Sequence, residues 1–164
     1  MKQTIRLVAL ISLCFVLASC TFLGNLSLGS YSPDLVDDKE RMLQAGDSFF
    51  YRNRDISLTN RSANLSFRGF HGIETLYRLD SDQGGTETIT TSSSVDTTRY
   101  KLVLIDEVRQ EVVTLIQGSG YANRTLNLRA GRYCIKTVGY DVGGTVNISL
   151  SAGQGVTVTT QSMR

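Results

Sequence analysis

From Asp47 onward, apolar and polar residues alternate with a period of two, in one short run after another. The runs are ISLTN, ANLSFRG, IETLYRLD, TETITTSSSV, YKLVLID, QEVVTLI, RTLNLRA, RYCIKTVGY and GTVNISLSA, with GVTVTT as a last one. Val, Ile, Thr and Tyr dominate them, and Gly, Asn and Asp punctuate the gaps. Successive side chains of a strand point to opposite faces, so this pattern describes half-buried strands. Many short strands at close spacing imply an all-β chain, an antiparallel sandwich or a barrel.

The alternation also assigns faces. In YKLVLID, Leu102 and Leu104 share one face, and Lys101, Val103 and Ile105 share the other. Both faces are apolar, which predicts a central strand. In TETITTSSSV only Ile89 and Val95 are apolar, which predicts a solvated edge or a long hairpin arm. Upstream, PDLVDDKERMLQAG predicts one short helix from Asp34 to Ala45, stopped by Gly46, with Leu35, Met42 and Leu43 as a weak apolar face. A helix of that length is marginal alone and must dock.

The chain opens differently. Lys2 and Arg6 precede an apolar run of about 11 residues, Leu7–Leu17, broken only by Ser12. That is the layout of a secretory signal, and it falls short of the roughly 20 residues a membrane-spanning helix needs. Leu17-Ala18-Ser19-Cys20 resembles the lipobox of bacterial lipoproteins. The resemblance implies cleavage between Ser19 and Cys20 and a diacylglycerol on the Cys20 sulfur, with further acylation by a fatty acid such as palmitate. It also implies anchorage in the cell membrane or outer membrane, facing the periplasm or the exterior. Thr21 follows, where an Asp would favour retention in the inner membrane of a Gram-negative cell.

This reading divides the chain into a signal peptide (1–19), a lipid-anchored tether with a short helix (20–46) and a β-sandwich domain (47–164). Removing the signal leaves 145 of 164 residues, and without Lys2 and Arg6 the 17 basic residues fall to 15, equal to the acidic count. A neutral body gives nucleic acid no electrostatic footprint. The cysteines reduce similarly: Cys14 leaves with the signal, Cys20 carries lipid, and Cys134 stands alone as a small buried hydrophobe.

A second resemblance lies further along. LNLRAGRYCIKTVG followed by GGTVNISL looks like the closing hairpin of extracellular β-sandwich modules, with Gly131 at the turn and Tyr133 packed inward. The stretch from Ser66 to Leu150 is similar to uncharacterised envelope lipoprotein domains. It is more loosely similar to jelly-roll carbohydrate-binding modules and pre-peptidase C-terminal domains. The resemblance implies a jelly-roll-like sandwich and assigns no activity.

Sites for chemistry are sparse. Ser119 in QGSGY lacks the spacing of a nucleophile elbow and reads as a turn. His71, the sole histidine, reads as a loop residue with Glu74 as its nearest carboxylate. In LDSDQGG, Asp80 and Asp82 offer hard oxygen ligands on a Gly-bent loop, as calcium requires, but the motif lacks the remaining EF-hand positions. It reads as a solvated hairpin turn with no metal. Tyr121 in GSGYAN and Tyr140 in VGYDVGG are loop-like aromatics and the candidate ligand-binding residues. Several Asn-x-Ser/Thr triplets occur, including those beginning at Asn60, Asn64, Asn123 and Asn147, and read as fortuitous in a Ser/Thr-rich bacterial chain.

These observations predict a lipid-anchored, non-catalytic interaction module of the bacterial envelope. It would need no cofactor beyond its lipid, and would bind protein or glycan or support an envelope assembly. The alternatives are an envelope hydrolase and a calcium-dependent glycan-binding domain.

Overall fold

The computed structural model describes residues 32–151 and 153–161. The signal peptide, the Ser19/Cys20 cleavage point, the Cys20 lipid site and residues 20–31 of the tether lie outside that range.

Nine strands follow two short helical turns: β1 (Ser48–Phe50), β2 (Asn53–Leu58), β3 (Ser62–Ser81), β4 (Gly85–Val95), β5 (Tyr100–Asp106), β6 (Glu111–Gln117), β7 (Gly120–Leu128), β8 (Gly131–Leu150) and β9 (Thr157–Thr160). All their pairings are antiparallel. β3 and β8 are each 20 residues long and pair with one another along most of their length. They pass together from one layer of a β-sandwich into the other. The first layer runs β2-β3-β8-β4-β7, using the first part of β3 and the last part of β8. The second runs β3-β8-β5-β6, with β1 and β9 sharing the far edge of β3. The fold is the expected all-β, antiparallel, jelly-roll-like sandwich.

Between the layers lies the main core, built on Leu65, Phe67, Phe70, Leu79, Tyr100, Leu102, Ile135, Val146 and Ile148. Tyr133 joins it, packed inward as expected. β5 is buried on both faces: Leu102 and Leu104 enter the main core, while Val103 and Ile105 join a second cluster on the outer side. Leu35, Met42, Ile73, Cys134 and Val138 complete that second cluster.

The chain before β1 supplies its cover. The single expected helix is two pieces, a 3-10 helix Pro33–Val36 and α1 (Lys39–Leu43). Ser32 Oγ accepts the Asp34 N–H and Pro33 supplies a preset φ, so the first turn starts sharply. Asp38 then caps a new start by accepting the Arg41 N–H at 3.0 Å. The helix ends earlier than expected, at Leu43 with Gln44 as its C-cap, and Gly46, at φ +93°, follows in the bend before β1.

Four local expectations are corrected. β4 is an interior strand, paired with β7 and β8; its small inward side chains, Thr91 and Ser93, suit a closely packed interior. Ser93 donates its hydroxyl to the Gly118 carbonyl, and buried Glu87 pairs through one oxygen with Arg61 at 3.0 Å. Residues 82–84 cross between layers, since β3 and β4 do not pair, so LDSDQGG is no hairpin turn. Likewise β7 and β8 do not pair with each other, and RYCIKTVGY and GTVNISL form one strand. Gly131 begins β8 opposite Ser81.

Met42 is 3% exposed against the sheet. Met42→Ala is expected to destabilise the protein by about 2–5 kcal/mol, the cost of truncating a buried side chain. Urea unfolding measures this; a loss below about 0.5 kcal/mol would mean that the segment does not dock.

Candidate functional site

The inner face of the first layer is mainly apolar, with Arg54, Glu87, Thr91 and Ser93 among its polar members, and its outer face is largely hydroxyl and amide. In an antiparallel register, residues opposite one another share a face. One such row is Asp55–Ser66–Thr145–Ser94, from β2 through β3 and β8 to β4. The next is Ser57–Asn64–Asn147–Ser92–Tyr121, which reaches β7. A third is Ser62–Ser149–Thr90–Asn123. Neighbours along the face bond one another: Asn147 Nδ2 donates to Ser92 Oγ at 3.3 Å, and the Thr88 and Thr125 hydroxyls lie 2.9 Å apart.

The face ends where β3 and β8 bend into the second layer. Register shifts fall between Phe67 and Phe70 and again between Phe70 and His71. Gly69 is at φ +57° and Asp141, on the partner strand, at φ +51°. Asp is one of the few side chains tolerated in that region, and here its backbone N–H donates to His71 Nδ1 at 3.3 Å. Gly144 lets β4 approach: a Cβ there would stand 2.2 Å from the Ser94 carbonyl oxygen. These features leave an open cleft of about 1010 Å³. The Asp55–Ser66–Thr145–Ser94 row is its floor. Arg52, Asn53 and Arg68 form one wall, and Asp96, Asp141 and Gly143 the other. Asp96 Oδ1 accepts the Gly143 N–H at 3.0 Å, which ties the second wall to β8.

The first wall is fixed from beneath. Arg54 points inward from β2, between Asn53 and Asp55. Its Nη2 donates to Glu74 Oε1 at 2.6 Å, and Tyr51 donates its hydroxyl to Glu74 Oε2 at 2.6 Å. The guanidinium also lies 4.7 Å from the Tyr51 ring centroid, and that ring stacks on Phe70. Burial pushes the Glu74 carboxyl above the ordinary carboxylate range, opposed by its bonds to Tyr51 and Arg54. Burial and the adjacent carboxylate together raise the Tyr51 phenol.

The structure separates the two tyrosines singled out from the sequence. Neither is in a loop. Tyr121 stands on the edge strand β7, 69% exposed, at the end of a polar row leading from beside the cleft. Tyr140 is in the second layer, edge-on to His71, with the Arg99 guanidinium 5.8 Å from its ring centroid. His71 is likewise a strand residue, opposite Phe50 and Tyr140. Ser119 is in the turn expected for it and clamps Val95, donating to its carbonyl and accepting its N–H, both at 2.8 Å. Asp80 is in β3 opposite Arg132 and Thr157, and Asp82 follows in the layer crossing. Both line an open depression; among the described residues, no group of three or more His, Cys, Asp or Glu gathers to hold a metal. Cys134 is 1% exposed, and burial pushes its thiol up to about 12.

The polar face went unread in the sequence, although a signal was there. An Asn-x-Ser/Thr triplet within a strand places both polar residues on one face. Asn64/Ser66, Asn123/Thr125 and Asn147/Ser149 are such pairs, all on the outer face of the first layer.

No family model and no curated protein matches the chain. Among solved structures, a family 29 carbohydrate-binding module complexed with mannohexaose is similar over 70% of this chain and 82% of its own, at 16% identity and TM-score 0.35. A family 35 carbohydrate-binding module from Cellvibrio japonicus is similar over 74% and 96%, at 13% identity and TM-score 0.37. The pre-peptidase C-terminal domain of a Bacillus anthracis collagenase is similar over 64% and 89%, at 13% identity and TM-score 0.37. At these scores the likenesses carry no argument about what this chain binds.

Glu74 and Arg54 side chains are 3% and 14% exposed. Glu74→Ala is expected to lose about 3–5 kcal/mol, because it strands a buried guanidinium. Arg78→Ala, which breaks the more exposed pair with Glu107, should cost no more than about 1 kcal/mol. Equal losses in the two variants, read by urea unfolding, would contradict this account of the wall.

Proposed function

We propose that this chain is a lipid-anchored, non-catalytic glycan-binding module of the bacterial cell envelope. The observation that carries the reading is the cleft and the hydroxyl-and-amide face that continues from it. Ser, Thr and Asn side chains both donate and accept hydrogen bonds. So do sugar hydroxyls, and rows of such groups offer a glycan many complementary contacts without demanding charge. Tyr121 adds an exposed ring at the end of one row, where a sugar face can pack. The cleft is open along the sheet, which suits a chain rather than a small enclosed substrate.

Support for the anchor comes from the sequence. The basic n-region, the short apolar run and the Leu17–Cys20 box fit a diacylglyceryl cysteine at Cys20. Two or more acyl chains on one residue hold a protein stably to a bilayer, whereas one chain does so only marginally. The reading places the module at the cell membrane or outer membrane, with its polar face turned to the periplasm or the exterior.

Two measurements test this. Cys20→Ala should move the protein from the detergent phase to the aqueous phase; a variant still membrane-bound after a carbonate wash would refute the lipid anchor. The purified chain should also be retarded in gels containing bacterial envelope polysaccharide. Tyr121→Ala and the Asn64→Ala/Asn147→Ala double variant should each weaken retardation roughly tenfold, about 1.4 kcal/mol. Exposed substitutions of this kind change stability by no more than about 0.5 kcal/mol, so melting temperature serves as the control. Unchanged retardation in both variants would move the site elsewhere. No retardation by any glycan, with a protein partner recovered by crosslinking, would replace glycan by protein.

A further inference from the structure

Arg52 and Arg68 lie side by side on the first wall of the cleft. The Arg52 N–H donates to the Arg68 carbonyl at 3.0 Å, and both side chains line the opening. Among the described residues, neither guanidinium has an ion pair or a side-chain hydrogen bond. The stem of Arg52 lies across Gly69, where an added Cβ would stand 3.0 Å from Arg52 Cβ and 3.4 Å from its Nε. The glycine thus makes room for the arginine over the bend. The aspartates of the cleft do not pair with these cations. Asp96 accepts the Gly143 N–H, and Asp141 faces His71, its Oδ1 3.6 Å from Nε2. Among the described residues, Asp55 forms no ion pair.

Two open guanidiniums beside a floor of three hydroxyls, Ser66, Thr145 and Ser94, with the Asp55 carboxylate at its β2 end, make a mixed site. The floor suits sugar hydroxyls, and the forks suit a planar or tetrahedral anion that can take paired N–H bonds. We propose that the cleft selects an acidic glycan, one bearing carboxylate or phosphate groups, and that Arg52 and Arg68 are its specificity-determining residues. This rests on the glycan reading above and names its substrate class. The anion sits at the Arg wall, and the neutral part of the sugar chain lies over Ser66, Thr145 and Ser94.

The full chain in detergent is titrated with polygalacturonate, with the same polymer methyl-esterified, and with poly(glycerol phosphate), at low and moderate salt. At least one anionic polymer should bind tenfold or more tighter than the esterified one, with the preference shrinking as salt rises. The carboxylate and phosphate arms identify the anion. Arg52→Gln and Arg68→Gln should each abolish the preference without changing the melting temperature. Equal binding of charged and esterified polymers, or a preference that survives in both variants, overturns the proposal while leaving glycan binding intact. If no polymer binds, the glycan reading fails, and the anion site is then decided alone. Glucuronate and inorganic phosphate should shift the arginine side-chain Nε–H resonances of Arg52 and Arg68 more than that of Arg132. Shifts no larger than those of Arg132 overturn it.

Discussion

The pairing of β3 with β8 is the constraint on which the rest depends. Two 20-residue strands stay paired through a change of layer, with their register shifting at the bend. Every other strand then attaches to one of these two, directly or through one intermediate. Because the bend occurs in both at once, backbone hydrogen bonding is interrupted over only a few residues, and irregular conformations concentrate there. Gly69, Asp141 and Gly144 are the local adaptations, and the cleft is the space they leave outside. A bulge commonly re-aims side chains beside functional sites; here a pair of bends separates the two walls.

Burial then decides which surfaces stay available. The outer face of the second layer carries Ile73, Val103, Ile105 and Val138, an apolar patch that water would penalise. The segment from Pro33 to Leu43 covers it with Leu35, Met42 and Leu43. The outer face of the first layer carries Ser, Thr and Asn and needs no cover. The division of labour between the two sheets follows from composition at alternating positions. One sheet docks its own chain, and the other presents polar groups outward.

Alternation made most strands legible in the sequence, because period two is a local property of the backbone. β5 was readable down to its two buried faces. Partnership is not local, so the crossings were not legible. Gly69-Phe70-His71-Gly72 and Gly143-Gly144 look like breaks between strands, yet each lies inside a continuous one. β4 looked like an edge because interior positions were expected to be apolar. Its inward Thr91 and Ser93 are small, and its inward Glu87 is matched by Arg61, a residue 26 positions away. The proposed binding face was hidden for a related reason. Its rows assemble from strands far apart in sequence, and Arg52 and Arg68 become neighbours only through the β2–β3 pairing. The Asn-x-Ser/Thr triplets carried part of the signal for this polar face, and Tyr121 lies at its edge, whereas Tyr140 lies in the other layer.

The central claim is that ligand lies on the outer face of the first layer, at the bend. Amide chemical-shift mapping during titration with an envelope oligosaccharide tests it most directly. The account predicts that shifts concentrate at Ser66, Arg68, Ser94, Asn147 and Thr145, with Val103, Cys134 and Val138 silent. Shifts confined to the second layer, around Phe50, His71 and Tyr140, would contradict it.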